Sequence, residues 1–148
     1  MSSTHLSLHA HVVFSTKNRS PDVQESWRDR LHGYLGGILR GIEVVPEEIG
    51  GTSDHVHLLI GLRAIHCLAE VLRVLKATSS SWVHREIGHR MFAWQDGYGA
   101  FTVGSSDVER VRSYIRNQAE HHRCRTFQEE YLELLRENFV EFDERFLW

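Results

Sequence analysis

The sequence predicts an α+β fold of the ferredoxin-like (RRM-like) type: an antiparallel four-stranded sheet with helices on one face and two appended C-terminal helices. Three observations predict it. Short β-like runs and longer amphipathic runs follow the order strand–helix–strand–strand–helix–strand. The two central strand runs are separated by little more than a glycine-rich turn, as in a hairpin. The 148 residues, 41% hydrophobic and 25% charged, suit one domain over 1–148 that buries a core without disulfides. No linker-like stretch or internal repeat divides the chain.

Each element has its own signal. Residues 6–16 carry Val12, Val13 and Phe14 in a β-like run, closed by a turn at Lys17-Asn18-Arg19-Ser20-Pro21. Val23, Trp27, Leu31, Leu35 and Ile38 recur at three-to-four spacing and predict a helix over 22–42. Residues 43–49 predict a strand, Gly50-Gly51 a turn, and 55–62 the next strand. Leu68, Val71, Leu72, Leu75, Trp82 and Val83 mark a second helix ending near Gly88, and 98–103 a short fourth strand. Ser105-Ser106-Asp107 forms an N-cap cluster for a helix over 106–122, and Thr126 caps a last helix through Arg136. With helices on one face, the other face of the sheet is expected to stay open.

Composition narrows the function. Cys67 and Cys124 lack CxxC spacing, so neither a zinc ribbon nor a disulfide framework is indicated. There is no signal-peptide pattern and no apolar run of membrane-spanning length, so a cytoplasmic protein without a membrane partner is expected. The net charge of −3 argues against a general nucleic-acid coat. It is unevenly spread: residues 129–148 hold seven acidic and two basic side chains, and residues 1–128 hold 13 acidic and 15 basic. A local basic site is therefore compatible with the total.

Asp54-His55-Val56-His57-Leu58-Leu59-Ile60 is the most informative stretch. On a strand, His55 and His57 project to one face about 6–7 Å apart, close enough to converge on one cation, while Val56 points away. Taken alone, such a pair is as often an ordinary polar face of a sheet. Asp54 suits a turn role. Downstream, Tyr114 and Gln118 stand four apart, on one face of the predicted helix. A helical tyrosine is more often a packing residue. Its phenol, with a pKa near 10, is a poor nucleophile unless its target is polarised.

The His55–Val56–His57 motif with the Tyr114–Gln118 helix resembles the single-tyrosine HUH transposases of the insertion-sequence 200/605 type. The likeness extends through His11-Val12-Val13-Phe14-Ser15-Thr16-Lys17-Asn18-Arg19, Trp94 to Phe101, Asn117 to His122 and Phe142 to Trp148. The resemblance implies a DNA transposase that cleaves and rejoins single-stranded DNA at hairpin element ends through a 5′-phosphotyrosine intermediate. It makes Tyr114 the nucleophile and His55, His57 and Gln118 the ligands of Mg2+ or Mn2+. It also implies a homodimer in which the tyrosine acts in trans, and no nucleotide cofactor; no P-loop is present.

Lys17, Arg19, Arg73 and Lys76 are candidate DNA contacts, although such charges usually only solvate a surface. Trp94, Tyr98 and Phe101 are candidates for base stacking or for the core. His9-Ala10-His11 repeats the His-x-His spacing but lacks the Leu-Leu-Ile run, and receives no metal role; His121 and His122 are expected to end the tyrosine helix. Two rivals compete. A histidine-triad hydrolase would need a third alternating histidine where Leu59 stands. A non-catalytic single-stranded nucleic-acid-binding protein on the same sheet would carry aromatics where His55 and His57 stand; a domesticated relative that binds hairpins without mobilising them is a further alternative.

Overall fold

Alternation along the strands decides which side of the sheet each residue serves. The computed structural model describes residues 3–121 and 125–148. Its four strands are β1 (Leu8–Ser15), β2 (Val45–Gly51), β3 (His55–Leu62) and β4 (Gly99–Val103). They pair antiparallel in the order β2-β3-β1-β4, the ferredoxin-like arrangement. On one face Ala10, Val12, Phe14, Val56, Leu58 and Ile60 pack against α1 (Glu25–Gly41) and α2 (Leu68–Trp82). Trp27, Leu31, Leu35 and Leu39 of α1 and Val71, Leu72 and Leu75 of α2 complete that core, all at most 6% exposed. The β-branched and aromatic residues of the central strands favour this half-buried pleat.

The opposite face is covered, contrary to the expectation that it stays open. Val13 and Phe101 pack against Phe127, Tyr131 and Leu135 of α5 (Phe127–Glu137), and Leu59 and Val103 against Val111 and Ile115 of α3 (Val108–Arg116). The reason is physical: both late helices carry an apolar stripe that must be buried, and this face is where the sheet offers apolar partners. Burying each such side chain stabilises by about 1.5–3 kcal/mol. Thr126 starts α5 with a capping box, its hydroxyl accepting from the Glu129 N–H while the Glu129 carboxylate accepts from the Thr126 N–H.

Three local expectations change. Gly50 and Gly51 belong to β2 rather than to a turn, pairing with His57 and Val56. Gly50 has to be glycine because the backbone of Ile115 lies directly on it. Tyr114 and Gln118 do not share one continuous helix: α3 ends at Arg116, Asn117 leaves the helical region (φ −100°, ψ 27°), and Gln118 opens a four-residue helix, α4 (Gln118–His121). After α2 the chain continues as one π-helical turn to Gly88, which takes a left-handed φ of 84°. His122 and Cys124 lie outside the described residues. No helix among the described residues is long and apolar enough to cross a membrane.

Candidate active site

The covered face holds a polar cluster beneath α3 and α5. His55 and His57 alternate with Val56 on β3, so both point towards these helices, and they are 2% and 0% exposed. Gln118, brought over the sheet by the break at Asn117, is equally buried, and so is Glu130 of α5. Tyr114 is half-buried on α3, its ring edge-on to His57 with centroids 5.8 Å apart. The structure therefore brings together His55, His57, Tyr114 and Gln118, the four residues singled out in the sequence.

Each histidine is oriented through one nitrogen. His55 Nδ1 donates to Asp54 Oδ1 (2.7 Å), with Thr52 Oγ1 at 3.0 Å, and its ring stacks on Phe127 at 4.5 Å between centroids. Asp54 thus does more than turn the chain: with the proton on Nδ1, the Nε2 lone pair of His55 faces the cluster. His57 Nδ1 lies 2.8 Å from His11 Nε2. Burial, and then the nearby His57, push the His11 imidazole down to about 3, so it is neutral at ordinary pH. A neutral His11 can accept the Nδ1 proton of His57 and leave the His57 Nε2 lone pair facing inward. His11, given no metal role on the sequence, is thus in contact with a site residue.

Glu130 joins these groups. Its Oε1 is 2.9 Å from His57 Nε2 and 3.6 Å from His55 Nε2, while Gln118 Nε2 donates to Oε2 at 3.3 Å. Tyr114 donates its hydroxyl proton to Oε2 of the same carboxylate. Burial, and then the Glu130 charge, push the phenol well above its ordinary value and keep it protonated. Gln118 Oε1 stands 3.0 Å from His55 Nε2. A signal for Glu130 existed in the sequence: it falls between Phe127 and Tyr131 on the apolar stripe of α5, where a solvated acid does not belong.

This donor set fits a divalent cation. Among the described residues, His55, His57 and Glu130 offer one ligand atom each, all within 4.8 Å of one another. Neighbouring ligands of an octahedral ion with bonds of about 2.1 Å stand about 3 Å apart, close to the 2.9 and 3.0 Å separations found here. Beside the cluster lies a cavity of about 180 Å³, lined by His11, Arg110, Tyr114, Arg125, Glu130 and Glu133 among others.

The other candidates lie elsewhere. Lys76 Nζ donates to the carbonyls of Gln95 and Gly97 at 2.9 and 2.6 Å and sits 5.0 Å from the Phe14 ring centre. Burial lowers its ammonium to about 8. Arg73 pairs with Glu70 on the surface, Lys17 is exposed, and Arg19 lies over the Trp148 ring at 5.3 Å. None of the four reaches the histidine cluster. Trp94 and Phe101, each 6% exposed, are core residues rather than stacking platforms, and Tyr98 packs against the core. His9 bonds Glu47.

Comparison with known proteins identifies the family and similar folds. The sequence profile of the family described as "Transposase IS200 like" matches residues 4–118. A Deinococcus radiodurans R1 protein assigned to the transposases has a similar crystal structure: TM-score 0.67, 22% identity, covering 80% of this chain and 95% of that one. A REP-associated tyrosine transposase bound to a REP hairpin is also similar: TM-score 0.61, 14% identity, 82% of this chain and 74% of that one. No curated protein sequence matches significantly. At these identities the two structures speak for the fold, and the profile, which spans most of the sequence, speaks for descent: the chain belongs to the IS200-like transposase family.

Proposed function

We propose that this chain, acting as one domain over 1–148, is a transposase that cleaves and rejoins single-stranded DNA through a covalent tyrosine intermediate. The observation that carries the proposal is the convergence of the Tyr114 hydroxyl, His55, His57 and Gln118 on one buried cluster beneath α3. In the step we propose, Tyr114 Oη attacks the phosphorus of a scissile phosphodiester. The Oη–P bond forms as the P–O3′ bond breaks, and the proton lost by the phenol is balanced by one gained at the 3′ oxygen. The products are a 5′-phosphotyrosine and a free 3′-hydroxyl, and rejoining is the reverse. The phosphodiester energy is kept in the intermediate, so no nucleotide cofactor is needed.

His55, His57 and Gln118 would hold Mg2+ or Mn2+, which when bound supplies positive charge to the phosphate oxygens. Asp54 and His11 fix the imidazoles with Nε2 inward. The hairpin named in one structural relative supports a single-stranded DNA substrate with hairpin ends for this chain too. Lys17, Arg19 and Arg73 are proposed to meet its backbone from outside the cluster.

The family resemblance favours a homodimer with the tyrosine in trans. One observation favours a second arrangement: the Tyr114 hydroxyl bonds Glu130 of its own chain, which in turn contacts His57 of that chain. The test mixes two inactive proteins, Tyr114→Phe and His57→Ala, under conditions of proven subunit exchange. A trans site is rebuilt in the mixed dimer and recovers cleavage; a cis site is not. The metal is tested by His55→Ala, His57→Ala and chelation, each of which should abolish cleavage while hairpin binding persists. Full cleavage in chelator contradicts metal dependence, and hairpin binding without cleavage by wild type under any metal indicates a domesticated binder.

A further inference from the structure

We propose that Glu130 is the anionic member of the metal site: Oε1 ligates the cation beside His55 and His57, while Oε2 holds the Tyr114 hydroxyl. This rests on the metal-assisted reading above and adds to it a ligand from α5, a helix beyond residues 4–118 that the family profile matches.

The placement of this acid is the first argument. Glu130 has no exposed surface. A carboxylate taken fully out of water costs several kcal/mol unless a positive partner and hydrogen bonds offset it. Its Oε2 accepts from the Gln118 amide and the Tyr114 hydroxyl. Its Oε1 side faces the Nε2 atoms of both histidines. Those are the ring atoms left facing the cluster because each Nδ1 is engaged on its other side, by Asp54 and by His11. A cation seated among these three atoms would offset the buried carboxylate charge and take all three as ligands.

The chemistry of the set is the second argument. Two imidazoles and an amide carry no charge, whereas Mg2+ and Mn2+ prefer hard oxygen ligands and bind through one or two carboxylates. Glu130 supplies that charge and leaves positions open for phosphate and water. Its location is fixed from both sides, by the capping box at Thr126 and by Phe127, Tyr131 and Leu135 packed on the sheet. One carboxylate thereby sets the distance between the nucleophile and the metal, and the docking of α5 becomes part of site assembly.

The competing account is a purely structural pair, in which His57 Nε2 donates a hydrogen bond to Glu130 and no cation is involved. Titration of Mn2+ into the full-length protein, followed by calorimetry and by the paramagnetic resonance of free Mn2+, separates the two. Glu130→Gln keeps the size and hydrogen-bonding capacity and removes the charge; we expect its Mn2+ Kd to rise at least tenfold, as for His57→Ala, with a cooperative thermal melt retained. Glu130→Asp keeps the charge but withdraws it by one methylene. It should bind several-fold more weakly than wild type, and it decides the matter if the Gln variant does not fold. Unchanged Mn2+ affinity in a folded Glu130 variant, with affinity lost in His57→Ala, overturns the role of Glu130 and leaves the metal site standing. Absence of Mn2+ binding by the wild type overturns both.

Discussion

Gly50→Ala should separate the tyrosine from its site by a calculable amount. Gly50 pairs with His57 across β2 and β3, and the carbonyl of Ile115, the residue after Tyr114, lies on top of it. A Cβ built there falls well inside contact distance of the Ile115 carbonyl oxygen and 3.1 Å from the Ile115 carbonyl carbon and Cγ2. The clash is with backbone, which cannot rotate away, so α3 must rise by about 1 Å to restore an ordinary C···O separation of about 3.3 Å. Such overpacking costs about 1–3 kcal/mol in stability. A displacement of about 1 Å in a reacting group costs about a hundredfold in rate. Single-turnover cleavage of a hairpin-bearing oligonucleotide, measured beside urea denaturation, reads both quantities. Gly37→Ala is the control, because an added Cβ there meets nothing within 4 Å; it should be neutral or stabilise by up to about 1 kcal/mol. Gly50→Ala with wild-type rate and stability would refute the packing argument.

Other expectations follow from individual contacts. Thr126→Ala removes the capping box of α5 and should cost about 1 kcal/mol by urea denaturation; no loss would mean that this helix end is not held by its cap. Lys76→Met should lower stability yet leave the salt dependence of DNA binding unchanged, because Nζ is spent on backbone carbonyls; Arg73→Ala should reduce that salt slope by about one contact. Burial lowers the His32 imidazole from 6.5 to about 4, so between these pH values the unfolded chain is protonated and the native one is not. Stability present above pH 6.5 is then lost as pH falls towards 4, by at most about 1.4 kcal/mol per unit. His32→Gln should flatten that slope, and an identical slope contradicts the assignment.

Much of the fold could be read from periodicity, because apolar alternation in the strands and three-to-four spacing in the helices are local signals. The common facing of His55 and His57 follows from the same alternation. What could not be read is where α3 and α5 dock, since that depends on which surface the finished sheet presents to them. The expected open face therefore turned out to be covered, and the histidines to be buried rather than displayed. Gln118 reaches the cluster through a helix break at Asn117 that no proline or glycine announces. Lys76 looked like a solvated charge because its partners, the carbonyls of Gln95 and Gly97, are invisible in side-chain chemistry. Glu130 and His11 draw their roles from a partner remote in sequence, His57 in both cases, and of the two only Glu130, on the apolar stripe of α5, carried a local signal.

The central claim is that Tyr114 becomes covalently joined to DNA. Wild type and Tyr114→Phe should be incubated with Mn2+ and a single-stranded oligonucleotide carrying the element's hairpin end, then denatured and digested for mass spectrometry. The account predicts a nucleotide adduct on the peptide containing Tyr114 in the wild type, a matching free 3′-hydroxyl fragment, and no adduct in a folded, DNA-binding Tyr114→Phe protein. An adduct on another residue, or one that survives in Tyr114→Phe, would contradict it.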